Sequence, residues 1–188
     1  MIFSCVTTVN TLDYEYDAAG QLTSAADDYS DYGYTYDALG RITQGIADHS
    51  GVLVRLDRQF DAAGRRTQLA AAIRDGSSYV DDFVNDYTYD NLGRMTGVEQ
   101  SEAVSGSAVA EKRVDFSYNA AGQFTDIDRF ADLAGTALVA ATSYTYDGIG
   151  RLTGLTHEKD TTTFADYGWT YDAFSRVTSF TSPDGTSD

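Results

Sequence analysis

The residues that could carry out acid–base or metal chemistry are few in this sequence and lie far apart. His49 falls in a predicted turn and His157 in a charged stretch, so we expect both to be exposed turn residues rather than general bases. Cys5 and two distant histidines cannot form the closed ligand set of a structural zinc site. The sequence has no glycine-rich phosphate loop with a lysine and no dinucleotide-binding fingerprint. We therefore expect no catalytic residues, no cofactor and no metal ion.

Calcium is the metal for which the sequence offers the most oxygen ligands. Residues 27–28 and 81–82 are paired aspartates, and carboxylate oxygens are the ligands that Ca²⁺ prefers. Neither an Asp-x-Asp-x-Asp-Gly loop nor a glycine-rich nonapeptide repeat is present. A solvated acidic surface is therefore favoured over specific calcium sites.

Aspartate and arginine instead recur within a ten-residue motif. Its clearest copy, residues 144–153, reads YTYDGIGRLT, and other copies begin at residues 14, 34, 58, 87, 116 and 169, the third of the seven being weak. The aspartate position recurs after 20 to 29 residues. The positions that define the motif are Tyr14, Tyr16, Asp17, Gly20, Tyr34, Tyr36, Asp37, Gly40, Arg41, Asp61, Gly64, Arg65, Tyr87, Tyr89, Asp90, Gly93, Arg94, Tyr118, Asn119, Gly122, Tyr144, Tyr146, Asp147, Gly150, Arg151, Trp169, Tyr171, Asp172 and Arg176.

Each copy of the motif is typical of a β-hairpin. The aromatic-x-aromatic triplet places two rings on one face of a strand, because strand side chains alternate between the two faces. The aspartate carboxylate can accept a hydrogen bond from the backbone two residues on, and glycine provides the positive φ that such a turn requires. Ser175 replaces this glycine in the last copy, so we expect strain of roughly 1–2 kcal/mol there.

Second turn signals separate most of the copies, at residues 48–51, 74–77, 104–107 and 132–135. The repeating unit is therefore two strands and two turns. The alanines of residues 69–74 are also compatible with a short helix, but their place between two hairpin signals favours a strand. We predict an all-β fold of repeated antiparallel β-hairpins. Its parts are an N-terminal lead-in strand (1–13), the repeat array (14–181) and a truncated turn or tail (182–188).

The arginines of the motif are too regularly placed for a random surface. They could stack on tyrosine rings or pair with the turn aspartates, which would make their role structural. Alternatively, a surface of tyrosine and arginine could bind a glycan or a peptide, since both residue types are good contact residues. The structural interpretation is favoured, because every repeat needs its own rings for packing.

Charge and composition exclude several classes of protein. The chain has 188 residues and a formal net charge of −16, which disfavours nucleic acid and anionic membrane surfaces as partners. No run of about 18 apolar residues indicates a transmembrane helix. A single cysteine rules out an internal disulfide. No lysine or arginine precedes Arg41, so this chain shows no signal peptide, and export would need an upstream segment or another route.

The motif Tyr-x-Tyr-Asp-x-x-Gly-Arg-Leu-Thr resembles that of the YD-repeat, or RHS-repeat, family, and residues 14–178 carry the resemblance. This family includes bacterial RHS polymorphic toxins, the C component of insecticidal toxin complexes, wall-associated bacterial proteins and the teneurins. The resemblance implies a curved sheet that spirals into a hollow shell, secreted or at the cell surface as part of a larger protein. It implies as partners further YD repeats of the same or an adjacent chain, and an enclosed toxin polypeptide or a surface glycan.

The chain departs from the toxin members at its C-terminal end. Their Asp-Pro-x-Gly-Leu cleavage signature is absent, and Pro183 stands in the reverse order, Pro-Asp-Gly. No cleavage residues are therefore transferred to this chain. We expect a fragment, a split gene product or a short stand-alone member that acts as a non-catalytic structural segment of a shell. The alternative is a cell-surface adhesion or carbohydrate-binding module on the same scaffold.

Overall fold

A computed structural model describes residues 10–75, 77–103 and 109–187, and these residues form fifteen strands and no helix. The strands are β1 Asp13–Tyr16, β2 Leu22–Ala26, β3 Ser30–Tyr36, β4 Ile42–His49, β5 Val52–Phe60, β6 Arg66–Asp75, β7 Ser78–Tyr89, β8 Met95–Glu102, β9 Lys112–Tyr118, β10 Phe124–Phe130, β11 Leu138–Tyr146, β12 Leu152–Lys159, β13 Thr162–Tyr171, β14 Val177–Ser182 and β15 Gly185–Ser187. Cys5, Gly76, the turn at 104–107 and most of the lead-in segment lie outside the described residues.

The chain divides into two units, and in each the strands follow the order of the sequence. Unit 1 comprises Met1–Val84 and Ala103–Ala108, with β1–β6 and the start of β7. Unit 2 comprises Asn85–Glu102 and Val109–Asp188, with the end of β7 and β8–β15. The neighbouring strands from β1 to β6 and from β8 to β15 pair antiparallel. The predicted all-β fold of repeated antiparallel hairpins is therefore confirmed, and the alanine-rich segment is a strand, β6.

Both units bury few side chains completely. In unit 1 the alanines Ala71 and Ala72 of β6 are buried, and in unit 2 Ile127 of β10 and Thr142 of β11 are buried. Most of the other described side chains in the strands are half-buried, because a side chain in a sheet is covered first by its cross-strand neighbours on the same face. Stability within each unit therefore depends on contacts along the sheet rather than on a deep core.

The register of the hairpins changes at each motif. In unit 1, Thr35 pairs with Gln44 and Tyr36 with Ile42, so Thr43 is skipped. In unit 2, Thr145 pairs with Gly154 and Tyr146 with Leu152, so the corresponding threonine, Thr153, is skipped as well. The bulge thus lies at the last residue of the motif.

The C-terminal residues form one further hairpin in unit 2. Pro183 and Asp184 form the turn between β14 and β15. β15 pairs with β14 from Phe180 to Ser182, through partners Ser187, Thr186 and Gly185. The segment 182–188 therefore contains a turn and a short strand in its described part.

Candidate functional site

The aspartate carboxylate organises the turn of the motif. In the sixth copy, Asp147 Oδ1 accepts hydrogen bonds from the backbone N–H groups of Ile149 at 3.1 Å and Arg151 at 2.9 Å. Gly150 donates its N–H to the Asp147 carbonyl at 3.0 Å and has a φ of 86°. The same arrangement occurs around Asp17, Asp37, Asp61, Asp90, Asn119 and Asp172.

Ser175 keeps the turn of the last copy in the left-handed conformation. Its φ is 64°, and its N–H donates to the Asp172 carbonyl at 3.1 Å. A serine at positive φ lacks the freedom of glycine, because its Cβ crowds the backbone. The strain expected from the sequence therefore has its structural basis at this residue.

The arginine of the motif pairs with the aspartate of its own turn. Its Nε donates to the second carboxylate oxygen over 2.5 to 2.7 Å, and the five pairs are Arg41–Asp37, Arg65–Asp61, Arg94–Asp90, Arg151–Asp147 and Arg176–Asp172. The hydrogen bond from the Arg151 backbone N–H, supported by this ion pair, holds the pKa of Asp147 below its ordinary value. At Asp90, desolvation raises the pKa, but the hydrogen bonds from Arg94 outweigh it and leave the pKa lowered.

The same arginine also reaches the following copy of the motif. In unit 2 the Arg151 guanidinium lies 4.5 Å from the ring centroid of Tyr171, and its Nη1 donates to the Asp172 carbonyl at 3.0 Å. In unit 1, Arg41 lies 4.6 Å from the Phe60 ring centroid. The arginines thus make both of the contacts that the sequence left as alternatives, a stack on a ring and a pair with a turn aspartate.

Arg94 repeats this arrangement in unit 2. Its guanidinium lies 4.6 Å from the ring centroid of Tyr118, and its Nη1 donates to the Asn119 carbonyl at 3.1 Å. The fourth and fifth copies therefore meet in the same geometry as the sixth and seventh copies, although the loops between the copies differ in length. The varying distance between copies does not disturb the contact, because the extra residues lie in the second turn of the unit.

A tyrosine hydroxyl of the later copy also binds a backbone carbonyl of the preceding copy. Tyr171 donates its O–H to the Leu152 carbonyl at 2.7 Å, Tyr118 to Met95 at 2.7 Å, and Tyr36 in unit 1 to Leu22 at 2.6 Å. The acceptor is in each case the residue after the arginine position of the preceding copy. We call the arginine–ring stack, the arginine–carbonyl bond and this tyrosine–carbonyl bond together the copy-to-copy contact.

The fifth copy replaces the ion pair by neutral amides. Asn119 Nδ2 donates to Gln123 Oε1 at 3.0 Å, and Gln123 Nε2 donates to the Gly150 carbonyl of the next copy at 2.7 Å. The network of the turn is therefore retained without charge, which indicates that its geometry rather than its electrostatics is what the copies share.

Threonine has a role that the sequence did not reveal. The Thr145 and Thr153 hydroxyls lie 3.2 Å apart, and those of Thr170 and Thr178 lie 2.8 Å apart. Each pair joins the middle residue of the aromatic triplet to the last residue of its motif. The bulge at the motif brings the two hydroxyls together, so the start and the end of each motif are linked through their threonines.

His157 corrects one expectation from the sequence. It lies within β12 and is half-buried, so the prediction of an exposed turn residue is wrong. Its Nδ1 is 2.9 Å from the hydroxyl of the buried Thr142, and that hydroxyl accepts a hydrogen bond from Arg129 Nη1 at 2.9 Å. The strand continues further than the charged residues suggested, because cross-strand pairing with β11 and β13 satisfies its backbone. His49 is exposed at the end of β4.

The paired aspartates do not converge on a metal site. Asp27 Oδ1 accepts hydrogen bonds from the Tyr29 and Ser30 backbones, both at 2.8 Å, and the former lowers the Asp27 pKa to about 2. Asp81 lies 3.3 Å from Arg55. Within residues 10–75, 77–103 and 109–187, no three His, Cys, Asp or Glu side chains group together as metal ligands would.

A comparison with known protein families adds the decisive observation. Residues 16–52 match the family model described as RHS Repeat. Residues 16–52 of the chain are therefore an RHS repeat. The resemblance seen in the sequence is confirmed, and the matched segment spans the turns of the first and second copies in unit 1.

The fold of the chain is also found in a solved structure. It matches a chain in the crystal structure of TcdB2-TccC3 with a TM-score of 0.68 and 16% identity over 96% of its own length, which shows a shared fold. It spans only about a tenth of that chain, since the match covers 10% of it. A porin-like protein from Bacteroides uniformis matches with a TM-score of 0.41 and 13% identity, covering 92% of this chain and 82% of the other, and this likeness is too weak to bear on the fold. No curated protein sequence matches the chain.

The described part of the chain contains no helix with the length and apolar character needed to cross a bilayer.

Proposed function

We propose that residues 14–181 act as a non-catalytic structural segment of an RHS-repeat shell. In this proposal the motif residues hold consecutive hairpins in register, and further RHS repeats are the partners. The shell encloses a polypeptide, and it is secreted or exposed at the cell surface as part of a larger protein. The fold shared with TcdB2-TccC3 supports the structural role.

The copy-to-copy contact carries this proposal. Arg151 uses its Nε on Asp147 and its Nη1 on Asp172, while its guanidinium faces the Tyr171 ring. Each recurring polar group is thus engaged in holding a turn or a neighbouring copy. A catalytic site would instead need a few converging polar groups around a positioned general base.

Imaging of a longer array tests the proposal. The chain is produced together with the RHS repeats encoded beside it and examined by electron cryomicroscopy. A hollow assembly with density for a polypeptide inside is the expected result. A flat or filled assembly would overturn the enclosing role. A turnover activity abolished by a single substitution would overturn the non-catalytic role.

A surface adhesion or carbohydrate-binding module is the second candidate, and the tips of the motif turns favour it. The residue before the turn glycine position carries an exposed apolar side chain in several copies of unit 2: Leu92 is 78% exposed, Ile149 72% and Phe174 83%. The recurrence of an exposed apolar side chain at this one motif position is the observation that favours a contact surface. Binding of the chain to immobilised glycans or to cells, lost when all three residues are replaced by serine, would favour this candidate over the shell.

A further inference from the structure

A cleft runs along β4 on one face of the sheet in unit 1. At this face β4 carries two small residues, Gly45 and Ala47, and residues that pair across neighbouring strands lie on the same face. Each of the two is flanked by larger side chains from β3 and β5, and the two rows are Tyr34 with Gly45 and Leu56, and Tyr32 with Ala47 and Val54. The small residues of the middle strand therefore leave a furrow between larger walls, which we call the β4 cleft.

The size of the β4 cleft suits one small ring. Its volume is about 140 Å³, and its walls are mostly apolar. An apolar cavity of about 150 Å³ in another protein is large enough to bind a benzene molecule. The aromatic rings of Tyr32 and Tyr34 lie on one side of the cleft, so a flat apolar group finds suitable contacts there.

The guanidinium of Arg58 lies beside Gly45 and lines the same cleft. Its Nη1 is 3.4 Å from the position that a Cβ on Gly45 would occupy, and Tyr34 Cδ1 is 3.9 Å from that position. This Nη1 is buried and has no hydrogen-bond partner among the described residues. Buried donor groups are rarely left unpaired in proteins, so the nitrogen calls for an acceptor.

Two other arginines of unit 1 show what Arg58 lacks. Arg41 Nε donates to Asp37 at 2.6 Å, and Arg55 Nε donates to Asp57 at 2.7 Å. Asp57 is next to Arg58 in β5, but neighbouring residues of a strand point to opposite faces. None of the described residues that line the β4 cleft carries a carboxylate.

We propose that the β4 cleft binds a small carboxylate with a flat apolar body of about the size of benzoate. The ring lies in the furrow over Ala47. The carboxylate lies over Gly45, where no side chain occupies the space beside Arg58, and accepts charge-assisted hydrogen bonds from the guanidinium. The net charge of −16 disfavours anions over most of the surface, so binding depends on this one cation.

Titration with benzoate tests the proposal. The amide signals of the isotope-labelled chain are followed by nuclear magnetic resonance as benzoate is added. We expect the signals of Gly45, Ala47 and Leu56 to shift with a dissociation constant of about 1 mM or tighter. Acetate lacks the ring and benzyl alcohol lacks the charge, so each should bind at least about tenfold more weakly than benzoate.

Two variants examine the two halves of the polar contact. Arg58→Leu removes the guanidinium and should weaken benzoate binding at least about tenfold, because a hydrogen-bonded ion pair is lost. Gly45→Ala keeps the guanidinium but places a methyl group where the carboxylate would lie, so binding should weaken at least about fivefold.

Gly33→Ala and Arg55→Leu are the matched controls. Gly33 lies between Tyr32 and Tyr34 in β3 and faces away from the cleft, and a Cβ there would meet only Ile46 at 4.0 Å. Arg55 is in the same strand as Arg58, but its side chain is on the other face. Both controls should leave the affinity for benzoate unchanged.

Thermal unfolding of the four variants shows whether each is folded. If Arg58→Leu does not fold, the effect of Gly45→Ala alone decides. Three results would overturn the inference: benzoate that leaves the cleft signals unshifted, acetate that binds as well as benzoate, or variants Arg58→Leu and Gly45→Ala that bind benzoate as well as the unmodified chain does. None of them would affect the proposed shell segment, which is tested by imaging the longer array.

Discussion

At the scale of single residues, the turn of the motif depends on one left-handed position. Gly150 occupies it with a φ of 86°, and Ser175 occupies it with a φ of 64°. Gly148 lies two residues before Gly150 in the same turn, without a positive φ and with no atom within 4 Å of an added Cβ. Substitutions at these three positions therefore distinguish the effect of a positive φ from the effect of steric crowding.

We expect Ser175→Gly to raise the free energy of unfolding by about 1 kcal/mol, because it removes the strain of a side chain at positive φ. Gly150→Val should lower it by more than about 1 kcal/mol, since a β-branched residue fits this conformation poorly. Gly148→Ala is the control and should be neutral or slightly stabilising. Urea unfolding measures all three, and destabilisation by Ser175→Gly would contradict the assigned turn.

A second prediction at this scale concerns pH. The backbone N–H of Arg151 holds the pKa of Asp147 below 3.8, the value expected for the unfolded chain. The stabilisation is therefore complete above about pH 4 and is lost as the pH falls through the lower folded-state pKa. The pKa values of Asp37, Asp61 and Asp172 are also lowered, in each case mainly by the backbone N–H of the arginine in the same turn. We therefore expect the stability of the chain to fall steeply below about pH 4.

Asp147→Asn isolates one of these groups. Asparagine still accepts the two backbone hydrogen bonds, as Asn119 does in the fifth copy. We expect the variant to be less stable at pH 7 and to lose less stability than the unmodified chain between pH 5 and pH 3. Thermal unfolding at several pH values checks this, and parallel pH profiles would show that the Asp147 carboxylate has an ordinary pKa in the folded chain.

At the scale of elements, the fifth copy suggests how two hairpins tolerate a change of charge. Asn119 and Gln123 reproduce with amides the pair that Asp147 and Arg151 make with charges. We expect Asp147→Asn and Arg151→Gln to be destabilising singly, because each leaves a half-buried partner without its counterpart. The double variant should be more stable than the sum of the single effects predicts. Additive effects in a double-mutant cycle would contradict this coupling.

The tyrosine–carbonyl bond gives a further prediction at the level of the strands. Tyr171→Phe removes the hydroxyl that donates to the Leu152 carbonyl and should cost about 1 kcal/mol of unfolding free energy. Tyr29→Phe is the matched control: in the described residues the Tyr29 hydroxyl has no partner, so its removal should change stability by less than about 0.5 kcal/mol. Equal effects of the two substitutions in urea unfolding would show that the bond contributes nothing.

At the scale of the whole molecule, the net charge of −16 means that surplus carboxylates repel one another in the folded chain. Raising the salt concentration from 0.05 to 0.5 M shortens the screening length to well under 10 Å, which weakens this repulsion more than it weakens the close ion pairs of the turns. We therefore expect urea unfolding to show a more stable chain at high salt. Lower stability at high salt would mean that the ion pairs of the turns outweigh the repulsion among the surplus carboxylates.

The sequence by itself determined the hairpins. Aromatic alternation identifies a strand, and an aspartate followed by glycine three residues later identifies a turn, since both depend on a few neighbouring residues. The arginine position also followed from periodicity, and the contacts of Arg41 and Arg151 are the two kinds that their spacing suggested.

Only the tertiary structure decided how consecutive copies meet. The bond from Tyr171 to the Leu152 carbonyl spans 19 residues, and nothing in the pattern within one copy shows which carbonyl a hydroxyl will reach. His157 was misplaced for the same reason, because pairing with β11 and β13 extends β12 through a stretch whose charges suggested a turn. Strand register is set by pairing between distant segments, so the bulge that joins Thr145 to Thr153 and the cleft beside Arg58 become visible only once the strands are paired.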